Sequence, residues 1–126
     1  EIMAVSRISF ELGNSLRDLP VHPLVLGWLI AGAVRIAIGS ATIAGLTAVG
    51  IIAPIFESQT GISPELMVLS IGAGSLMCSH VNDGGFWMYK EYFNVSIKDT
   101  LKSWTLMETI VAVAGLIGVL LLDLFL

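Results

Sequence analysis

The chain is 126 residues long, 56% hydrophobic and 13% charged, with a formal net charge of −4. A soluble domain carries about 45–50% apolar and roughly 25% charged residues, and one this short cannot hide the excess apolar surface. That excludes a soluble enzyme and a disordered chain, and an acidic chain without a basic run is no nucleic-acid binder, because it cannot neutralise phosphates. With Cys78 as its one cysteine, the chain also lacks a disulfide framework. What remains is an integral membrane protein or a piece of one.

No secretory signal pattern opens the chain. Residues 1–22 place Val5, Ile8, Leu12, Leu16 and Leu19 at helical spacing, broken by Arg7, Glu11, Asn14 and Arg17. This segment reads as an interfacial helix or the end of a re-entrant element. Residues 23–56 are apolar except for Arg35; the run is too long for one straight span of ~20 residues and too short for two with a loop. Gly39, Ser40, Thr42 and Gly45 weaken its middle, so the expectation is a span broken near 39–42. Irregular backbone at membrane depth survives only when packed in protein or lining a wet cavity.

A second span is expected over 65–80. Pro64 stands at its first helical position, and Ser70, Gly74 and Cys78 form a small-residue stripe that lets another helix approach. The run His80-Val81-Asn82-Asp83-Gly84-Gly85 is polar and rich in turn residues. Residues 88–102 read as a cytoplasmic connection, with a short interfacial helix near 96–102 that starts on a Ser96/Asp99 capping box. Trp87, Tyr89, Tyr92 and Trp104 have the placing of headgroup-level aromatics. The last span is expected over 103–126, opened by Thr105 and Glu108 at capping-box spacing. Lys90, Lys98, Lys102, Arg7 and Arg17 put 1–22 and 88–102 in the cytoplasm, and Glu57 to Pro64 and the C-terminus outside. The fold class is thus all-α integral membrane, with about three spans.

Three groups of residues can carry chemistry. Arg35 is a charge inside the longest apolar run, where it costs about 2.5–3.5 kcal/mol on insertion scales. Its planar fork suits a carboxylate, although a structural ion pair or snorkelling would also accommodate it. Ser40 and Thr42 stand at the helix break, where backbone N–H groups face any anion; close packing of small residues is the alternative. His80, Asn82 and Asp83 combine a titratable pair with a polyol-binding amide, or else form a turn at the end of a span. His80 and Asp83 are too few for a metal site. An intramembrane hydrolase using Ser79 or Ser75 with His80 is disfavoured, because adjacent residues on a helix point apart. The chain is therefore not expected to be an enzyme.

Several stretches together carry a family resemblance. They are Arg35-Ile36-Ala37-Ile38-Gly39-Ser40-Ala41-Thr42, Gly61-Ile62-Ser63-Pro64-Glu65-Leu66-Met67, and Ser79-His80-Val81-Asn82-Asp83-Gly84-Gly85-Phe86-Trp87, followed by Lys90-Glu91-Tyr92-Phe93, Thr100-Leu101-Lys102-Ser103-Trp104 and Met107-Glu108-Thr109. From about residue 20 onward the chain resembles the gluconate permease family of gluconate:proton symporters. The resemblance implies the C-terminal part of a polytopic inverted-repeat carrier in a bacterial inner membrane, with re-entrant hairpins and substrate near the bilayer midplane. It implies a sugar acid such as gluconate as substrate, H+ as coupling ion and no other cofactor. Its partners would be the lipid bilayer, the carrier's N-terminal spans and a second copy in a homo-oligomer. Arg35, Ser40, Thr42 and Asn82 become substrate-binding candidates, and His80 and Asp83 proton-coupling candidates. The alternatives are a serine-type amino-acid symporter of the same family and a truncated remnant without transport of its own.

Overall fold

The computed structural model describes residues 11, 15, 20–56 and 61–126, and among these all regular structure is helical. The expected interfacial or re-entrant 1–22 segment lies outside the described residues up to residue 19, apart from 11 and 15. Five helices follow: α1 (Pro23–Ile38), α2 (Ala41–Phe56), α3 (Pro64–Gly74), α4 (Gly84–Phe93) and α5 (Ile97–Asp123).

The helix starts follow from local chemistry. Pro23 and Pro64 open α1 and α3, where a missing N–H costs nothing. Asp83 caps α4 by accepting from the Gly85 N–H at 3.1 Å. The Ser96/Asp99 box opens α5: Ser96 Oγ accepts from the Asp99 N–H at 3.1 Å and donates to its carboxylate at 2.6 Å. Thr105 and Glu108, by contrast, start nothing. They lie inside α5, and the residues expected as a separate interfacial helix are its first turns. The helix runs through a π-helical turn at Leu101–Thr105 without stopping. Its 27 residues extend for about 40 Å, and it alone among the described helices is long and apolar enough to cross a membrane.

The break expected near 39–42 falls at Gly39-Ser40. Gly39 takes a left-handed φ of 79°, and its N–H closes α1 onto the Arg35 carbonyl at 2.8 Å. The two halves do not continue one another. Val49, Ile52 and Phe56 of α2 line a cleft with Pro64, Met67 and Ile71 of α3. Leu24, Ile52, Ile55, Leu66, Ile71 and Val119 share one buried cluster. Such neighbours require α2 to fold back along α1, so residues 23–56 form a helical hairpin with its tip at Gly39-Ser40.

Helix α3 lies parallel to α1. Ser70 Oγ donates to the Leu24 carbonyl at 2.5 Å, and a Cβ on Gly32 would touch Met77 at 3.4 Å. Small residues make this approach possible, as is usual between membrane helices. The expected 65–80 span is shorter as a helix. It ends at Gly74, whose Cα side faces the Trp28 backbone, and Ser75 Oγ closes the last turn by donating to the Gly72 carbonyl at 2.7 Å. Cys78 then enters the left-handed region at φ 49°, uncommon for a residue with a Cβ, and the chain leaves the helix direction.

Helix α5 runs antiparallel to α1 and α3. Trp28 Nε1 donates to the Ala112 carbonyl at 2.9 Å, and His22 Nε2 lies 3.3 Å from Asp123 Oδ2. The starts of α1 and α3 and the ends of α2 and α5 therefore share one end of the bundle. The hairpin tip, residues 79–83 and the start of α5 share the other. Residue 22 thus stands at the opposite end from 88–102, whereas the basic residues of 1–22 and 88–102 put both segments on one side. A hairpin adds no crossing, and this changes the parity. The outer surface is apolar: Leu46 is 71% exposed, Val68 65% and Ile110 58%.

Gly74 sets the α1–α3 approach. A Cβ there would lie 2.9 Å from Trp28 Cα, whereas one on Gly72 meets nothing within 4 Å. Gly74→Ala is expected to lose about 1–3 kcal/mol through overpacking. Gly72→Ala should be neutral or gain about 0.5–1 kcal/mol of helix propensity. Thermal unfolding of the purified protein in detergent checks both.

Candidate functional site

The residues that composition makes costly meet at the tip end of the bundle. Arg35 sits one turn from the end of α1 and is only 3% exposed. Its Nη2 donates to Asp83 Oδ2 at 2.6 Å, across 48 residues of sequence. Asp83 is placed by its own local duty. Its Oδ1 caps α4, which turns Oδ2 toward α1. One side chain thus serves both as the helix-capping turn residue and as the ion-pair partner of Arg35.

Arg35 is not saturated by this pair. Its Nε and Nη1 are buried with no hydrogen-bond partner among the described residues. An orphaned guanidinium donor in a dry site is expensive; either donor can bond a carboxylate or a comparable oxyanion, and a two-bond fork forms once Nη2 is shared with it. Both the Arg35 and Asp83 charges are felt at Glu108, half-buried one turn along α5 from Trp104.

Ser79 completes the cluster. It is 1% exposed, donates from Oγ to Asp83 Oδ2, and accepts from Trp104 Nε1 at 2.7 Å. Thr105 Oγ1 donates to the Ser79 carbonyl. The π-helical turn thus aims two consecutive side chains at one residue; π turns are often found at functional sites.

The other candidates stand around this cluster in different ways. Asn82 Nδ2 donates to the Ile36 carbonyl at 2.8 Å, satisfying one of the last acceptors of α1. A Cβ on Gly39 would strike the Asn82 backbone, with 2.7 Å to its carbonyl carbon, so only glycine seats the tip there. Ser40 Oγ, half-buried, faces the Ile43 N–H at 3.4 Å at the start of α2. Thr42 is exposed beside it. His80 is close in sequence, but its ring turns elsewhere: Nδ1 donates to the Cys78 carbonyl at 2.9 Å. The structure therefore joins Arg35 to Asp83, brings Asn82 to the hairpin tip near Ser40, and leaves the His80 imidazole outside the ion pair.

On sequence grounds Ser79 enters only as a disfavoured hydrolase nucleophile, and Trp104 and Glu108 are not site candidates. The four-residue spacing of Ser79 and Asp83 was a usable signal. Nothing local marked Trp104 as the donor to a buried serine, since aromatics of this kind also populate the interface.

Comparison with known proteins follows the same residues. Residues 1–125 match the family described as GntP family permease. The chain is 48% identical over 98% of its length to a high-affinity gluconate transporter of Escherichia coli (strain K12), of which it covers 28%. It is 52% identical over 93% of its length to a gluconate permease of Bacillus subtilis (strain 168), covering 27% of that protein. A Gnt-II system L-idonate transporter of Escherichia coli (strain K12) is 42% identical over 98% of the chain, which covers 28% of it. The chain thus spans a little over a quarter of the length of these relatives. No solved structure matches it.

Removing one partner of a buried ion pair strands the other. Asp83→Ala is expected to cost about 3–5 kcal/mol by leaving Arg35 uncompensated. Asp83→Asn keeps one acceptor oxygen, enough for Gly85 or for Arg35 but not both, and should cost less than Asp83→Ala. Adding Arg35→Met to Asp83→Ala should recover most of the loss. Unfolding midpoints of the four proteins, wild type included, check this order.

Proposed function

The chain belongs to the GntP permease family, and from that premise we propose that it forms the C-terminal part of a proton-coupled carrier that imports gluconate or a related sugar acid. The observation that carries this reading is the pair of buried donors on Arg35, unpartnered among the described residues, beside Asp83. Arg35 holds the substrate carboxylate. Asp83 competes with that carboxylate for the same guanidinium, so a proton on Asp83 removes the competing charge and releases Nη2 to the substrate. Anion and proton then enter the site together, which is the requirement for symport.

The sugar hydroxyls fall to the groups at the hairpin tip. Ser40 and Thr42 stand at the start of α2, where the helix presents backbone N–H groups with a partial positive charge. Asn82 spends one amide hydrogen on Ile36 and keeps its carbonyl oxygen as an acceptor. Between Asp83 and His80 as the proton carrier, the geometry favours Asp83, because Asp83 touches Arg35 while the His80 ring is held on the Cys78 carbonyl. The rest of the carrier supplies the opposing wall, so transport belongs to the intact permease. In this reading 88–102 faces the cytoplasm, following its lysines.

Radiolabelled gluconate uptake by the intact permease tests this. Arg35→Ala should abolish uptake while the protein stays in the membrane; survival of uptake would remove the carboxylate role. Wild-type uptake should rise as external pH falls. Asp83→Asn should lose that pH dependence and fail to accumulate substrate against its gradient, yet still exchange internal for external gluconate.

A further inference from the structure

We propose that Ser79 and Trp104 are positioning residues that set the pH at which Asp83 releases Arg35. This rests on the reading of Asp83 as the proton-coupled carboxylate and adds to it the part that tunes the coupling. The direction of the chain of hydrogen bonds is chemically determined. An indole N–H can only donate, so Trp104 gives its hydrogen to Ser79 Oγ. That leaves the Ser79 hydroxyl hydrogen to point at Asp83 Oδ2.

This arrangement suits ionised Asp83 alone. A proton placed on Oδ2 would need an acceptor where Ser79 presents a donor. The Ser79 hydroxyl could turn to accept it, but its own hydrogen would then lack a partner in a site only 1% exposed. The Trp104–Ser79 pair therefore favours the carboxylate, and with it the occupied Arg35. Thr105 braces the same residue through the Ser79 carbonyl. Both braces come from the π-helical turn at Leu101–Thr105, so a relaxation of that turn would loosen them together. The charged groups that otherwise bear on Asp83, among the described residues, are Arg35 from α1 and Glu108 from α5, with the Gly85 N–H from α4. None of these is altered by changes at Ser79 or Trp104.

The pH profile of gluconate uptake by the intact permease separates a positioning role from a structural one. Ser79→Ala removes the donor, and Trp104→Phe removes the indole N–H and shortens the ring while keeping an aromatic against Tyr89, whose centroid lies 5.3 Å away. Loss of a donor to a carboxylate favours its protonated form, so the uptake midpoint should move to higher pH by on the order of one pH unit in Ser79→Ala. Trp104→Phe should move it the same way by less, and Ser79→Thr should restore the wild-type profile. At pH well below the midpoint, KM for gluconate should stay within about twofold of wild type, because Asp83 is protonated in every case. A lower maximal rate with an unmoved midpoint in both variants overturns the inference, whereas loss of pH dependence in Asp83→Asn would leave the underlying reading intact. A wild-type profile in Asp83→Asn overturns both.

Discussion

A guanidinium with almost no access to solvent sits near the end of a short apolar helix, and the tip end of the structure is organised around it. In the interior the charge needs a counter-charge, because desolvation of an unpaired ion costs several kcal/mol. Asp83 supplies it from 48 residues away. To do so the chain must end α3 early, turn through Cys78 in a strained backbone region, and start α4 on Asp83 itself. The pair pins the hairpin tip, the loop before α4 and the π-helical turn of α5 into one cluster.

Close packing puts the pair in register. The parallel run of α1 and α3 depends on Gly27, Gly32 and Gly74, where added side chains would meet Met67, Met77 and the Trp28 backbone. Helix α5 is threaded against them by Trp28 at one level and by Ser79 at another. Small residues stand where the backbones come nearest, while large apolar side chains fill the core and also cover the outer surface, unlike a soluble protein. Lipid, rather than water, is the surrounding that such a surface fits.

This architecture gives the proposed carrier a specific economy of parts. In that proposal the anion site is one arginine with two donors unpartnered among the described residues, and the aspartate that pairs with it is also the group that must let go. The same aspartate caps a helix, so its position is held by α4 whatever its ion-pair state. The hairpin tip contributes a helix start and hydroxyls within the same neighbourhood. The proposed binding and proton uptake would thereby be joined to local backbone order by direct contacts.

Much of this is legible in order of locality. The helical character, the break at Gly39-Ser40, the Ser96 cap and the identification of Arg35 and Asp83 as the costly charges follow from the residues themselves, because propensity, capping and the cost of charge in an apolar run are local quantities. The direction of the chain after the break is not local. A glycine at positive φ permits a kink or a reversal equally, and only the packing of Ile52 and Ile55 with Leu24 and Ile71 selects the reversal, and with it the side on which residue 22 lies. Thr105 has the spacing of a cap but is inside a helix, because Ser96 already starts that helix two turns earlier and Thr105 finds a better acceptor in the Ser79 carbonyl. The partners of Arg35, Ser79 and Trp104 lie on different helices, brought together by packing that no single segment encodes. What the sequence by itself determined is therefore which residues are expensive to bury and where helices begin and break. What only the tertiary structure decided is which of those residues face one another, since that depends on how small residues let the helices approach.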